Sequence, residues 1–340
     1  MNMNFWKELK RPIKVLAPMA GYTDSAFRQL CKKFGADVVI TELISADAIF
    51  HKSKNWFRDS DGEWKSKKGE DETLQLLKFA ASERPIVIQL FGKYPEKYGF
   101  AAKWITENLK PDGIDINMGC PARKVVNSGH GAALLKNPEL AVEIIQAVKA
   151  NTDLPVSVKT RLGWDDDDQI LEFAPKLVAA GIDAILIHGR TYKDGFKNTA
   201  RWENIFKVKE MFGDKLTVIG NGDIHSSSKS EIRISKSETN SKFKILNSKF
   251  ELDGFAIGRA AFGKPWIFSK DNIDKEELKR VILEHAKLTF ETRGEYGLVE
   301  FRKHLLCYLK NFAGAKELRT EAVKIKEIPD IVRIIESIKI

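Results

Sequence analysis

The sequence is poor in cysteine and has no long hydrophobic run. Its three cysteines, Cys31, Cys120 and Cys307, are an odd number and widely spaced among 340 residues. This pattern argues against a disulfide framework or a metal cluster and favours a reducing, cytoplasmic setting. No run of eighteen apolar residues occurs, so we expect no membrane span. The first ten residues carry charges but no apolar core, so we expect no export signal.

A strong charge of one sign is also missing. The 56 Lys and Arg residues exceed the 47 Asp and Glu residues by a net charge of +9. A polyanionic partner is compatible with this excess, but many basic proteins bind nothing anionic. Charge alone therefore leaves nucleic-acid binding open. The length predicts one large domain with a smaller one.

Short apolar runs alternate with amphipathic segments along most of the chain. The eight runs are residues 13–18, 37–41, 86–90, 113–116, 156–159, 184–187, 216–219 and 254–257. They are rich in Val and Ile and mostly lack polar alternation, as strands covered on both faces do. A strand and a helix repeated eight times predict an α/β fold, the closed (β/α)₈ TIM barrel. A doubly wound open sheet is the rival architecture.

Every one of these runs ends in polar, charged or backbone-exposing residues. The chemistry of a barrel gathers at the C-terminal ends of its strands, so these residues predict one ligand-lined mouth. They are Pro18, Met19, Ala20, Glu42, Gln89, Asn117, Cys120, Lys159, Arg161, His188, Arg190, Asn221, Gly222, Asp223, Gly258 and Arg259.

The last two strand ends narrow the class of ligand. Glycine amides and the Arg259 guanidinium come to the corner where barrels often hold a phosphate, and Lys159 adds a second cation. A phosphorylated cofactor with a planar ring fits this set better than a metal does. Only His188 and Asp223 could serve as metal ligands there, so we expect no metal.

Cys120 follows the fourth run within Gly119-Cys120-Pro121. A glycine allows a sharp turn or a close approach to a ligand, and the proline fixes the turn after it. A thiol at the end of a strand is well placed for proton or covalent chemistry. On its own, the pattern also fits a small apolar residue that fills a turn.

The pattern changes near residue 270. Apolar residues then recur at helical spacing, and Gly294 to Gly297 mark a break between helices. We therefore predict a barrel domain over residues 1–269 and a small all-helical domain over 270–340. The helical part is rich in Lys and Arg between residues 302 and 326, which fits either a solvated face or a phosphate-binding surface.

Two further segments have unusual composition. Residues 51–68 interleave basic and aromatic side chains, which suits either contact with RNA or a loop that covers the barrel. Residues 226–249 are rich in Ser and Lys, and we predict partial order there.

Taken together, these residues resemble the tRNA-dihydrouridine synthases, flavin enzymes that reduce specific uridines of tRNA. The matching segments cover nearly the whole chain: residues 17–24, 89–92, 115–121, 159–161, 188–191, 221–224, 257–259 and 302–304. The Cys-Pro motif and the His-Gly-Arg-Thr motif are the most specific of them.

The resemblance implies FMN in the mouth, NADPH as the reductant and tRNA as the substrate. It implies Cys120 as the general acid that protonates C5 of the uracil after hydride reaches C6. The implied flavin contacts are Pro18, Met19, Ala20, Gln89, Lys159, His188, Asn221, Gly222, Asp223, Gly258 and Arg259. The implied substrate contacts are Asn117 and Arg161 at the uracil and Arg302, Lys303, His304 and Arg319 on the helical domain.

Two alternatives to a tRNA-dihydrouridine synthase remain. One is an FMN barrel that acts on a free pyrimidine, as a dihydroorotate dehydrogenase does, although a free base needs no basic helical domain. The other is a tRNA-binding protein without catalysis, which the complete set of strand-end residues disfavours. We also expect a monomer.

Overall fold

The computed structural model describes residues 4–225, 252–269, 272–310, 312 and 314–338. Eight parallel strands close into a barrel, which confirms the predicted TIM fold and excludes the open sheet. The barrel strands are β1 (Ile13–Leu16), β2 (Val38–Ile40), β6 (Ile86–Phe91), β7 (Gly113–Met118), β8 (Val156–Arg161), β9 (Ala184–His188), β10 (Thr217–Asn221) and β11 (Gly254–Ile257). The short β3 (Ile44–Ser45) pairs with β6, and β4 (Trp56–Arg58) pairs with β5 (Trp64–Ser66) as a separate hairpin.

Helices surround the barrel and continue beyond it. They are α1 (Phe5–Glu8), α2 (Ser25–Lys33), α3 (Ala46–Lys52), α4 (Glu72–Leu77), α5 (Pro95–Asn108), α6 (Arg123–Asn127), α7 (Pro138–Lys149), α8 (Gln169–Ala179), α9 (Glu203–Phe212), α10 (Lys275–Tyr308), α11 (Ala315–Ala322) and α12 (Ile328–Glu336). Their ends follow local chemistry. The Asp24 side chain caps α2 by accepting from the amide of Phe27, and Pro138 occupies the first turn of α7, where its missing N–H has no partner to lose.

Strand register gives the barrel interior a polar level below its mouth. Gln89 on β6 is in register with Asp115 on β7, which is in register with Ser157 on β8. Two residues further along, Asn117 is opposite Lys159. Interiors of such barrels are usually filled by bulky branched side chains, so this level calls for a functional explanation.

The basic and aromatic segment 51–68 packs against the outside of the barrel. Its hairpin places the rings of Trp56 and Trp64 4.9 and 5.1 Å from that of Trp104 on α5. Arg58 donates to the carbonyl of Asn108 at the end of the same helix. The hairpin therefore packs against the second half of α5 on the outer wall of the barrel. The predicted partial order of residues 226–249 lies outside the described residues.

Helices α10 to α12 form the predicted C-terminal helical region. Gly294 interrupts α10 with φ 60° and ψ −147°, at the predicted break. Phe301 and Leu305 pack with Ile331 in a core of their own, which also includes Trp266. Residues 270 and 271 lie outside the described part of the chain, so the division at 269 stays a prediction. No helix among the described residues is long and apolar enough to cross a membrane.

Candidate active site

The C-terminal ends of the barrel strands surround a cavity of about 730 Å³. Fourteen of the sixteen residues predicted at the strand ends line it together: Pro18, Met19, Ala20, Asn117, Cys120, Lys159, Arg161, His188, Arg190, Asn221, Gly222, Asp223, Gly258 and Arg259. They lie on or directly after six of the eight barrel strands, β1 and β7 to β11, so residues up to 241 positions apart in the chain (259 − 18) meet at one cavity. The parallel arrangement of the strands is therefore what assembles the site.

Cys120 lies at the cavity wall in a turn held by Asn117. The Asn117 Oδ1 accepts from the amides of Gly119 at 3.2 Å and Cys120 at 2.9 Å. A Cβ on Gly119 would lie 3.2–3.3 Å from backbone atoms of Lys159 and Thr160, so the turn runs closely against β8. The free thiol is partly exposed and reaches the same cavity as the cations.

Four cations line the cavity, against one carboxylate, that of Asp223. Burial, reinforced by Arg161, lowers the pKa of Lys159 to about 8. Burial also lowers the pKa of Arg161 to about 10. Burial, reinforced by the same cations, holds the pKa of His188 well below its usual value. A pocket with this excess positive charge and a neutral imidazole is suited to an anionic group such as a phosphate.

Glycines shape the corner where the last two strands end. Gly222 adopts φ 125°, and a Cβ there would lie 2.8 Å from Ala200 and 3.0 Å from the His188 ring. Gly258, at the end of β11, also borders the cavity beside Met19. The corner therefore brings backbone close to any ligand held by Arg259.

Arg190 and Phe196 both belong to the cavity wall, but only Arg190 was predicted there, from its place at a strand end. Arg190 donates to both oxygens of Asp223 at 2.8 Å, so the Asp223 carboxylate is already paired. Phe196, 52% exposed, lies under the guanidiniums of Arg161 and Arg259, 5.5 and 4.2 Å from its ring centre. Phe196 lies in a loop without any periodic pattern, which left no signal for it.

Gln89 differs from the other predicted cofactor contacts because it lies below the cavity wall. It is fully buried, accepts from Nδ2 of Asn117 at 2.9 Å and donates to Asp115 at 2.7 Å. Gln89 therefore lies beneath Asn117 and does not line the cavity.

The four predicted contacts on the C-terminal helices occupy different environments. Lys303 reaches the rim, where its Nζ lies 5.8 Å from the ring centre of Tyr22, a residue of the cavity wall. Arg302 and Arg319 donate to backbone carbonyls of the helical region at 3.1 and 2.8 Å.

His304 is 1% exposed and its Nε2 lies 3.1 Å from Oδ2 of Asp24. The expectation that His304 contacts RNA is therefore corrected, since its imidazole lies inside the junction between helix α10 and the barrel. Two groups of three possible metal ligands occur among the described residues, and neither lines the cavity.

The sequence matches a known family and several of its members. The model of the family described as "Dihydrouridine synthase (Dus)" matches residues 15–335. A "Probable tRNA-dihydrouridine synthase" of Aquifex aeolicus is 33% identical over 99% of this chain and 98% of its own length. The "tRNA-dihydrouridine synthase B" of Pseudomonas syringae pv. tomato is 35% identical over 90% of this chain and 85% of its own. A "Probable tRNA-dihydrouridine synthase 2" of Bacillus subtilis is 34% identical over 97% and 95%.

A solved structure supports the fold independently. The complex titled "2-Naphthoyl-CoA Reductase-2-Naphthoyl-CoA complex" superposes with a TM-score of 0.51 over 76% of this chain and 49% of that one. Its sequence identity is 13%, so the likeness concerns the fold alone.

Proposed function

The chain belongs to the dihydrouridine synthase family, and from that membership we propose that it reduces specific uridines of tRNA to 5,6-dihydrouridine. The observation that carries the proposal is the joint lining of one cavity by Cys120, Asn117 and a set of cations. Relatives over 30% identical along nearly their full length are named as tRNA-dihydrouridine synthases, which supports the same substrate here.

The donors that line the cavity support FMN as the proposed cofactor. Arg259 and the bare backbone at Gly222 and Gly258 would hold its phosphate, and Lys159 with Asn221 would hold polar atoms of its ring. When bound, FMN supplies a hydride that originates from NADPH. The two glycines matter because side chains there would occupy the cradle.

Cys120 and its neighbours supply the acid chemistry. Hydride addition at C6 of uracil is favourable only if the enolate that develops is neutralised, and protonation of C5 by the Cys120 thiol achieves this. Asn117 and Arg161 would orient the base beside the thiol. Overall, uridine, NADPH and one proton give dihydrouridine and NADP⁺. A uridine of folded tRNA must leave its stack to enter the cavity.

The C-terminal helices would hold the tRNA. Lys310 and Lys316 are exposed and line one surface hollow on this region, while Lys303 lies at the rim of the cavity. Arg302 and Arg319, which bond backbone carbonyls, would chiefly shape this surface.

The direct test measures NADPH oxidation and dihydrouridine formation. Purified protein with FMN is given unmodified tRNA, free uracil or orotate, and dihydrouridine is detected by mass spectrometry of the digested RNA. We expect turnover with tRNA only. Turnover with the free pyrimidines alone would instead establish the alternative barrel oxidoreductase, which the family match does not favour.

A cysteine substitution tests the acid. Cys120→Ala is expected to leave FMN binding intact and to slow tRNA reduction by about a hundredfold or more, in the range of a lost general acid. Cys307→Ala is the matched control, because that thiol lies on α10 away from the cavity. Equal rates in the two variants would show that Cys120 is not the acid.

A charge reversal tests the RNA surface. The double variant Lys310→Glu/Lys316→Glu is expected to weaken tRNA binding. It should also make the slope of log K against the logarithm of the salt concentration shallower by roughly 1 to 2. The control Lys103→Glu/Lys207→Glu makes the same change of charge at exposed sites on α5 and α9. If both pairs weaken binding equally, only net charge matters and the surface assignment fails.

A further inference from the structure

A continuous chain of hydrogen bonds runs from the barrel interior to the turn that carries Cys120. Ser157 Oγ donates to Oδ1 of Asp115 at 2.6 Å, and Oδ2 of Asp115 accepts from Nε2 of Gln89 at 2.7 Å. Oε1 of Gln89 accepts from Nδ2 of Asn117 at 2.9 Å. Oδ1 of Asn117 then accepts from the amide of Cys120 at 2.9 Å. Five residues on three neighbouring strands and one turn thus form a single path.

The bond to the Cys120 amide requires one particular orientation of each side-chain amide in this chain. A backbone amide can only donate, so Asn117 must turn its oxygen toward Cys120 and its NH₂ toward Gln89. Gln89 must accept this bond with its oxygen, and its own NH₂ group therefore points toward Asp115. The chain therefore ends on a group that has to accept, and Asp115 is that group.

The polar side chains of this hydrogen-bonded chain are buried, which indicates that the site needs them. Gln89, Asp115 and Ser157 are all 0% exposed at a level of the barrel that apolar side chains ordinarily fill. Burial raises the pKa of Asp115 to about 7, while bonds from Ser157 and Gln89 and the charge of Lys159 oppose that rise. A buried carboxyl in an apolar layer is unfavourable unless it is needed, and packing alone could be achieved by Leu or Val.

We propose that Asp115 is a positioning residue for this reaction, which fixes the amide orientations of Gln89 and Asn117 and thereby the place of the Cys120 thiol. The proposal rests on the proposed function of Cys120 as the acid. Asp115 acts without touching the substrate, through an acceptor that a neutral amide could also provide.

Two substitutions separate this role from the charge of Asp115. Asp115→Leu keeps the branching at Cγ, with bulkier methyl groups in place of the oxygens, and removes the acceptor, so the chain loses its fixed direction. Asp115→Asn can present its oxygen to Gln89 and its NH₂ to the hydroxyl of Ser157, so the direction survives without the charge. In single-turnover and steady-state assays with tRNA, we expect Asp115→Leu to lower kcat about 30-fold with KM within about threefold. We expect Asp115→Asn to recover most of that loss.

A second readout does not depend on tRNA reduction. In a Cys307→Ser background, Cys31 is buried, so the rate of alkylation by iodoacetamide reports on Cys120. We expect Asp115→Leu to change this rate about fivefold or more, as a displaced thiol would, and Asp115→Asn to restore it. If both Asp115 variants alter kcat and alkylation equally, charge rather than orientation is at work and the proposal is overturned. Unchanged values in Asp115→Leu overturn it as well.

Misfolding of a variant and failure of the proposed function can each be distinguished from failure of the Asp115 proposal. Should Asp115→Leu not fold, Gln89→Leu cuts the same chain while Asp115 keeps Ser157, and an unchanged alkylation rate in that variant overturns the proposal. Should the unaltered protein fail to reduce tRNA, the proposed function falls, whereas the alkylation rates still decide whether Asp115 positions Cys120.

Discussion

Lys159 offers a test of whether the cavity is built for a ligand at the expense of stability. Its side chain extends from β8 into the cavity, and burial with the nearby Arg161 lowers its pKa from 10.5 to about 8. A lowered pKa means that the folded protein holds the protonated amine less favourably than the unfolded chain does. Lys159→Met removes this charge while keeping a similar length and volume.

The size of the effect follows from the pKa and from one hydrogen bond. A depression of this extent costs the protein without cofactor about 3 kcal/mol at pH 7, at about 1.4 kcal/mol for each pKa unit. The bond from Nζ to Oδ1 of Asn221, at 3.2 Å, offsets about 1 kcal/mol of that cost. We therefore expect Lys159→Met to increase the free energy of unfolding by about 2 kcal/mol near neutral pH.

The effect of Lys159→Met on stability depends on pH. Because the pKa is depressed, the cost is complete below pH 8 and disappears as the pH rises toward 10.5. Near pH 9.5 it amounts to about 1 kcal/mol, so the advantage of the variant should nearly vanish there. Urea unfolding of both proteins without FMN, at the two pH values, measures this difference. Lys207→Met, at an exposed position on α9, is the control and should change stability by less than about 0.5 kcal/mol.

The result that would refute this reasoning is a variant less stable than the wild type at pH 7, or a difference that does not depend on pH. Addition of FMN should reverse the order of stability, since a ligand that binds the folded wild type more tightly stabilises it more.

Three further predictions concern the turn and the barrel wall. Gly119→Ala introduces a Cβ 3.2–3.3 Å from backbone atoms of β8, and we expect a loss of about 1–3 kcal/mol in the free energy of unfolding together with slower tRNA reduction; unaltered activity would contradict this close approach. Glu83→Gln leaves the buried Arg28 without its charged partner, which should cost about 3 kcal/mol or more in urea unfolding, whereas Glu83→Gln/Arg28→Met should recover part of it. Burial opposes ionisation of Asp24, yet the His304 imidazole holds the pKa of this carboxyl well below its usual 3.8. The wild type should therefore lose stability more steeply than Asp24→Asn as the pH falls below 3.8, and parallel acid profiles would refute this.

The barrel and most of its cavity could be predicted from the sequence because both depend on local pattern. A run of buried strand residues followed by a polar residue is visible in one stretch, and parallel strands in a barrel place all such ends on one side. For this reason Lys159, His188 and Asn221 were identified without knowledge of their contacts. The turn at Cys120 was visible for the same reason.

What could not be predicted depends on which residues meet across the fold. Asp115 sits within a predicted strand, and only the register with β6 and β8 reveals that it faces Gln89 and Ser157. The sequence shows that Arg302 is basic, but it does not show that its guanidinium donates to a backbone carbonyl of the helical region. His304 was expected to contact RNA for the same reason, since a histidine in a basic segment has no pattern that distinguishes a surface from an interior.

The segment from Pro18 to Asp24 joins the cavity to the C-terminal helices. Pro18 lines the cavity, and Tyr22, also in its wall, stacks on Phe262 with 4.0 Å between ring centres. The Tyr22 ring meets His304 edge-on at 5.5 Å, and Asp24 hydrogen-bonds to His304 at 3.1 Å. This segment of seven residues therefore contacts both the proposed cofactor cavity and helix α10. A shift of α10 on binding RNA would displace this segment as well, because closely packed interfaces move between discrete arrangements rather than deform gradually.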